Sequence, residues 1–193
     1  YGAVITVPAY FDDAQRQAWQ ATFHEGLVLS VSLSSSQFNM PNLAGQLQQV
    51  LDRHGLQGRQ LEVEISEDSL MSNLDETNTQ LKLLRQIGVR IALDDFGLGQ
   101  CSLAHLRDLE FDTPKLDPQL VARLPGSMRD AAMARSIIQL CGHFDVLVIA
   151  EGVETLEQSQ WLKANGCSFI QGPWAAQPLR PEEMADWSHP GPL

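Results

Sequence analysis

The sequence predicts an α/β fold built on a parallel sheet, which is either open or closed as a barrel. Short runs rich in β-branched residues alternate with longer amphipathic stretches, a pattern typical of parallel strands connected by helices. Seven such strand–helix units follow one another along the 193 residues, one fewer than a closed (β/α)₈ barrel needs. Hydrophobic residues make up 44% of the chain and charged residues 19%, which indicates a folded domain rather than a disordered segment.

Each of the first three predicted strands is followed by a helical stretch. VITVPAY precedes DDAQRQAWQATFHEG, LVLSVSLS precedes NLAGQLQQVLDRHG, and LEVEIS precedes DETNTQLKLLRQIG. Asn42 is expected to cap the start of the second helix, because its side chain can accept hydrogen bonds from the first free N–H groups. Gly55 and Gly88 are expected to end the second and third helices, since glycine readily adopts the left-handed conformation found there.

The last four predicted units are VRIALDD with SLAHLRDL, TPKLD with SMRDAAMARSIIQLCGHF, DVLVIAE with TLEQSQWLKANG, and CSFIQ with PEEMADW. Ser102 and Gly166 are the expected caps in this half of the chain. Met128 and Met133 are expected to face the core, because their helix also carries several aliphatic residues. Pro114 cannot donate to a sheet ladder, so a local distortion is expected in the fifth strand.

The charge balance limits the classes of partner. The formal net charge is −11, which argues against binding to a nucleic-acid polymer but leaves room for a small anionic ligand beside a metal. The three cysteines lie far apart, without the spacing of a zinc site or a disulfide framework, so a cytoplasmic location is expected. Apolar runs of membrane-spanning length are absent from the sequence.

Acidic residues fall where successive predicted strands end. Because the carboxyl ends of parallel strands meet at one rim, these side chains are expected to lie close together. An acidic residue after a strand can also simply begin the next helix, but acidic residues at the ends of four strands in succession would accumulate self-repulsion. Mg²⁺ or Mn²⁺ would balance that charge through hard oxygen ligands. The set is Glu64, Glu67, Asp94, Asp95, Asp117, Glu151 and Glu154, with Lys115 and Gln171 beside it.

Six segments, taken in order, resemble motifs of the EAL-domain family of cyclic di-GMP phosphodiesterases. They are LSVSLSSSQF, LEVEISEDSL, IALDDFGLGQCSL, FDTPKLDPQLV, IAEGVET and CSFIQGPWAAQPL, within roughly residues 26–187. The resemblance implies a modified or incomplete TIM-like (β/α) barrel with its site at the carboxyl ends of the strands. It also implies hydrolysis of cyclic di-GMP to pGpG by metal-assisted attack of water, in which two metals about 4 Å apart can activate the water.

The resemblance further implies roles for individual residues. The metal ligands, for Mg²⁺ or Mn²⁺, would be Ser32, Glu64, Asp94, Asp95, Asp117 and Glu151. The residues acting on the attacking water would be Lys115, Glu151 and Asp95. The residues that support the ligand would be Gln171 and Glu154. Trp174 is a further ligand-binding candidate on its position alone, because it follows Gln171 near the expected mouth of the site, where it could stack on a guanine base or pack the rim. Glu67 would anchor the loop from Asp95 to Ser102.

Three departures from the family pattern bear on activity. The strand carrying the naming Glu-Ala-Leu motif and the arginine soon after it are absent. Ser32 stands where the family has an asparagine, and a hydroxyl is a weaker metal ligand than an amide oxygen. Leu98, Gln100 and Cys101 differ from the usual residues of the loop after the paired aspartates.

The opening of the chain suggests a different origin. AVITVPAYFDDAQRQA, residues 3–18, resembles a strand–helix segment in the nucleotide-binding domain of the seventy-kilodalton heat-shock chaperones. The chain is therefore interpreted as a chimera, with a foreign unit at residues 1–18 and a truncated EAL-type domain at residues 19–193. A barrel one strand short would expose strand edges, which predicts an open barrel or a homodimer.

Three hypotheses of function remain open on this basis. The first is a cyclic di-GMP phosphodiesterase. The second is a degenerate relative that binds cyclic di-GMP, or a partner protein, without turnover. The third is an engineered or shuffled chimera without activity.

Overall fold

A sheet of seven parallel strands forms the centre of the protein. The computed structural model describes residues 4–7, 28–71, 74–97, 110–167 and 169–177. Each strand pairs in parallel with the next along the chain. The strands are β1 (Val4–Val7), β2 (Val28–Leu33), β3 (Leu61–Ser66), β4 (Arg90–Phe96), β5 (Thr113–Leu116), β6 (Ile149–Ala150) and β7 (Phe169–Ile170). All seven predicted strands are therefore confirmed, and within the described ranges β1 and β7 are the two edges.

Helices connect the strands, as the α/β pattern predicts. They are α1 (Ser35–Phe38), α2 (Leu43–His54), α3 (Glu67–Met71), α4 (Leu74–Gln86), α5 (Pro118–Val121), α6 (Met128–His143) and α7 (Leu156–Ala164), with a 3₁₀ turn at Gly58–Gln60. The four long helices match predicted stretches. The one-turn helices α1, α3 and α5 were not predicted, because a single turn is too short to show a helical period. The helical stretches predicted in 12–26, 102–109 and 181–187 lie outside the described residues.

Alternation along β3 places two kinds of side chain on its two faces. Val63 and Ile65 join the apolar core with residues of the long helices. Glu62 and Glu64 alternate with them and therefore face the other side of the sheet. In the register with β4, Glu64 lies opposite Ala92 and Ser66 opposite Asp94. The face turned away from the helices thus carries rows of polar side chains that lead to the carboxyl ends of the strands.

Local expectations meet different outcomes. Asn42 precedes α2 but makes no side-chain capping bond, whereas Gly55, Gly88 and Gly166 all adopt positive φ. The prediction of a buried Met128 and Met133 is wrong, because their side chains are 89% and 47% exposed. Ile137, one turn further along the same helix, is buried and marks the true inner face.

A distortion accompanies Pro114, as its missing N–H predicts. The pairing of β4 with β5 shifts register between Leu93, which lies opposite Pro114, and Phe96. The shift therefore spans the two adjacent aspartates at the end of β4. In the described part of the chain, we find no helix with both the length and the apolar character needed to cross a membrane.

Candidate functional site

A buried lysine forms the centre of the site. Lys115, on β5, has a fully buried side chain, and its Nζ donates to Glu64 Oε1 and to Glu151 Oε1, both at 2.6 Å. Glu64 comes from β3 and Glu151 follows β6, so three strands contribute to the cluster. The sequence predicted these three residues at one rim, and the structure brings them together.

The ammonium of Lys115 lies between the carboxylates of Glu64 and Glu151, and the pKa values of these two carboxyls shift in opposite directions. Burial raises the pKa of Glu64, but Lys115 and hydrogen bonds from neighbouring hydroxyls outweigh it and lower that pKa overall. Burial raises the pKa of Glu151 to about 7 against the opposing effect of Lys115, and the charges of Asp94 and Glu64 add to the rise. Burial disfavours the ammonium, but both carboxylates together raise the pKa of Lys115. Glu151 is thus the carboxylate of the pair that takes up a proton more readily.

Ser32 is the fourth member of the polar cluster formed by Lys115, Glu64 and Glu151. Its Oγ donates to Glu64 Oε2 at 2.5 Å, because parallel pairing sets Ser32 directly opposite Glu64. The carboxylate of Glu64 is therefore held on one oxygen by a hydroxyl and on the other by an ammonium. This arrangement fixes the orientation of the carboxylate relative to Lys115.

A second polar layer lies one step deeper and was not predicted. Glu62 is fully buried; its Oε1 accepts from Ser30 Oγ at 3.1 Å and its Oε2 from Thr113 Oγ1 at 3.0 Å. Arg90 Nε lies 3.9 Å from the same carboxylate. Burial raises the pKa of Glu62, with Arg90 as the largest opposing influence. The alternation in LEVEIS, which places Glu62 two residues before Glu64, is the signal that could have identified it.

Two adjacent aspartates end β4 at the same rim. Asp94 is half-buried and accepts from the Asp95 N–H at 3.1 Å. Asp95 has a positive φ of 55°, so the strand does not simply alternate there. Partial burial and the charges of Asp94 and Asp117 raise the pKa of Asp95. Asp117 caps α5, accepting from the Gln119 N–H at 2.6 Å.

The remaining predicted residues lie on loops around the cluster. Gln171 directly follows β7, and the backbone of Trp174 bonds to the loop that carries Glu151. Glu154 is exposed, and its backbone N–H donates to Gln158 Oε1 at 2.8 Å. Glu67 is buried at the start of α3. The loop that Glu67 is predicted to anchor lies largely in residues 98–109, outside the described part.

The donor chemistry of this rim fits a divalent cation. Asp94, Asp95 and Asp117 supply hard carboxylate oxygens. Partial burial, and then the negative charges of Asp94 and Asp117, raise the pKa of Asp95, and a cation would offset those charges. Within the described ranges, three His, Cys, Asp or Glu side chains do not converge closely enough to form a ready-made metal site. At Glu64 and Glu151 the position between the carboxylates belongs to Lys115 Nζ.

Comparison with protein families gives one extended match. The model of the EAL domain matches residues 9–178. The cyclic di-GMP phosphodiesterase NbdA of Pseudomonas aeruginosa is 38% identical over 156 residues, which are 81% of this chain and 20% of that protein. The chain therefore spans about a fifth of the length of that relative.

Solved structures show the same architecture. The PaMucR phosphodiesterase in complex with cyclic di-GMP superposes with a TM-score of 0.83 at 31% identity, covering 89% of this chain and 70% of that one. Klebsiella pneumoniae BlrP1 with manganese and cyclic di-GMP gives a TM-score of 0.76 at 32% identity, covering 82% and 41%. The predicted modified TIM-like fold is thereby confirmed, and related structures contain a divalent metal with the ligand.

These comparisons give no support to a chaperone origin for the opening segment. The match to the EAL domain begins at residue 9, ten residues before the predicted boundary at 18 and 19. Of the short segment that resembles the chaperones, the structure describes only the strand β1, and a strand is an element that unrelated α/β proteins also contain. A brief local resemblance was therefore weaker evidence than a match along most of the chain.

Proposed function

Because the chain belongs to the EAL domain family, we propose that it hydrolyses cyclic di-GMP to linear pGpG with the help of a divalent metal, Mn²⁺ or Mg²⁺. The observation that carries this proposal is the cluster of Lys115, Glu64 and Glu151 at the carboxyl ends of three strands, beside the paired aspartates of β4. Relatives named as cyclic di-GMP phosphodiesterases support the choice of substrate.

In this proposal, Asp94, Asp95 and Asp117, together with Glu64 and Glu151, are the residues that would hold the metal. Among the described residues they do not form a ready-made site, so their side chains would have to draw together when the metal binds. When bound, such an ion lowers the pKa of a water and stabilises negative charge on phosphate oxygens. Everything else is supplied by side chains of the chain itself.

Glu151 is suited to receive the proton of the attacking water. Its pKa of about 7 places the change of charge near neutral pH, where a general base is most effective. Lys115 donates to Glu151 and so holds it in position, and its positive charge would offset the charge of the reacting phosphate. The water oxygen would form a bond to phosphorus as the bond from phosphorus to one ribose 3′ oxygen breaks. The proton that Glu151 takes from the water would pass to that leaving oxygen, directly or through solvent, which restores Glu151.

The ligand itself would be held at the edge of the site. Trp174 is 41% exposed and could stack on a guanine base, and Gln171 and Glu154 would supply polar contacts. Glu67 would fix the loop after Asp95. The proposed location in the cytoplasm rests on the cysteine pattern and on the signalling role of the substrate.

One observation favours a second candidate, binding of cyclic di-GMP without turnover. Ser32 stands at the position of the family's asparagine and donates its hydroxyl proton to Glu64, and its hydroxyl oxygen is a weaker metal ligand than the amide oxygen that it replaces. Loss of a direct ligand weakens a metal site more than the 10–100-fold typical of an outer-shell change.

A calorimetric titration with cyclic di-GMP and a product assay with Mn²⁺ separate the candidates. The proposal expects binding and formation of pGpG, and Asp94→Asn should abolish product while Asp75→Asn, an exposed site on α4, should not. Binding without product would establish the second candidate. A folded chain that neither binds nor hydrolyses the dinucleotide would contradict both.

A further inference from the structure

We propose that Gly172 is a positioning residue that locks the turn carrying Gln171 and Trp174 onto the loop carrying Glu151. We call residues 171–176 the terminal turn and residues 151–154 the glutamate loop. The inference rests on the proposed function, because its consequence is the placement of the ligand-binding side chains.

The backbone of Val153 connects the two segments in both directions. Its N–H donates to the Gln171 carbonyl at 3.0 Å, and its carbonyl accepts from the Trp174 N–H at 3.0 Å. The terminal turn is closed on itself by the N–H groups of Ala175 and Ala176, which donate to the Gly172 carbonyl at 2.9 and 3.1 Å. The two segments therefore behave as one hydrogen-bonded unit.

Only glycine fits at the centre of this unit. Gly172 has φ of 142°, which side chains of L-residues strongly disfavour. A Cβ there would lie 2.5 Å from both the nitrogen and the oxygen of Val153. These are backbone atoms that already bond to the terminal turn, so the clash cannot be relieved by rotating a side chain. An alanine must separate the turn from the loop.

The unit is tied to the reacting cluster. The Glu151 N–H donates to the Leu116 carbonyl at 3.3 Å, next in sequence to Lys115. Backbone contacts thus run from β5 through the glutamate loop to Trp174. A displacement of the terminal turn would move Trp174 relative to Glu151, and misplacement by about 1 Å at a reactive site costs on the order of 100-fold.

The test compares Gly172→Ala with Gly166→Ala. Gly166 also has positive φ, at 86°, but lies after α7, where a Cβ would meet only Ile138 Cγ2 at 3.9 Å. Both variants should lower the melting temperature. In calorimetric titrations with cyclic di-GMP and Ca²⁺, a combination found in a BlrP1 complex, Gly172→Ala should bind about 10-fold more weakly, comparable to losing one base stack. Gly166→Ala should bind as the wild type does.

A double-mutant cycle tests whether Gly172 acts through Trp174. The double variant Trp174→Ala/Gly172→Ala should bind cyclic di-GMP almost as well as Trp174→Ala alone, because the ring that Gly172 positions is already absent. Independent, additive losses overturn the inference, as do equal losses in Gly172→Ala and Gly166→Ala. If Gly172→Ala does not fold, hydrogen exchange of the wild type provides the test. The ligand should slow exchange of the Val153 and Trp174 amides to a similar extent. Slowing of only one of the two would overturn the inference that the terminal turn and the glutamate loop form one unit.

The outcomes keep this inference apart from the proposed function. If the wild type binds cyclic di-GMP without producing pGpG, the proposed hydrolysis is wrong. The role of Gly172 in placing the ligand is then still tested by the variants. Wild-type protein that does not bind the dinucleotide overturns the proposed ligand and, with it, the placement role inferred for Gly172.

Discussion

At the residue scale, Lys115 supplies positive charge that balances the carboxylates at the carboxyl ends of the strands. The sequence predicts a rim rich in carboxylates, and Glu64, Asp94 and Glu151 do lie at the ends of their strands. The direct bonds of Lys115 to two of them could not be predicted, because they depend on how deeply three strands insert relative to one another. Glu62 was missed for a related reason, since a charged residue in a strand is ordinarily assigned to the solvent face.

Substitution Lys115→Met should strongly destabilise the fold. The change leaves the buried Glu64 and the partly buried Glu151 near each other without a counter-charge, and breaking a buried ion pair in this way costs about 3–5 kcal/mol. Urea unfolding in EDTA measures the loss. Lys82→Met, at an exposed position of α4, is the matched control and should change stability little. Equal stability of the two variants would show that Lys115 is not needed to balance the carboxylates.

The pH dependence of stability should carry the signature of Glu151. Its folded-state pKa of about 7 lies above the ordinary value of 4.5, so between these values the folded chain binds more protons than the unfolded chain. The free energy of unfolding should therefore fall as pH rises from about 5 to 7. Glu62 and Asp95, whose pKa values are also raised, contribute in the same direction, so the wild type is compared with a variant of Glu151. Glu64, with its lowered pKa, contributes only at more acidic pH, and Lys115 only at strongly alkaline pH.

Urea unfolding of wild type and Glu151→Gln at several pH values, in EDTA, measures this contribution. As pH rises from about 5 to 7, the unfolding free energy of the wild type should fall relative to that of Glu151→Gln. Parallel pH curves would mean that Glu151 does not titrate there.

At the element scale, the end of β4 explains how two neighbouring carboxylates reach the same rim. A regular strand would turn Asp94 and Asp95 to opposite faces. The positive φ of Asp95 and the register shift against β5 interrupt that alternation. The motif DDFG indicated the site, but a non-glycine residue in the left-handed conformation has no clear sequence signal, although Asp and Asn tolerate it better than most residues.

Replacing Asp95 by Asn and by Ala separates charge from backbone conformation. Both changes remove the carboxylate, but asparagine tolerates the left-handed conformation and alanine does not. Asp95→Ala should therefore be less stable than Asp95→Asn by about 1 kcal/mol, measured by urea unfolding in EDTA. If the two variants are equally stable, the strand end is not strained at this residue.

At the scale of the whole molecule, the number of strands and their parallel pairing were predictable and the closure of the sheet was not. Alternating strand and helix patterns correctly predicted seven parallel strands, because each strand has its own apolar run and flanking turn. The order of the strands along the sheet was implied only by the resemblance to a barrel family. Whether β1 meets β7 depends on accumulated twist and tilt, which no local pattern encodes. The short strands β6 and β7 were predicted longer than they are, because part of their apolar runs packs as loop.

Strand edges without a second neighbour in the described part of the chain predict association of two copies. In the described part of the chain β1 and β7 each pair with a single neighbour, and unpaired edges favour pairing between molecules. Sedimentation velocity over a range of protein concentrations should show a dimer in equilibrium with monomer. A sedimentation coefficient that stays at the monomer value throughout that range would contradict this expectation.

The depth of Lys115 has a practical consequence for anyone handling the protein. The chain contains only three lysines, at 82, 115 and 163, and the first and last are exposed while Lys115 is sealed from solvent. Amine-acylating reagents should therefore modify the outer two quickly and spare the central one until the barrel opens. The extent of acylation at Lys115, measured by mass spectrometry, would report how often the structure opens enough to expose this side chain to solvent.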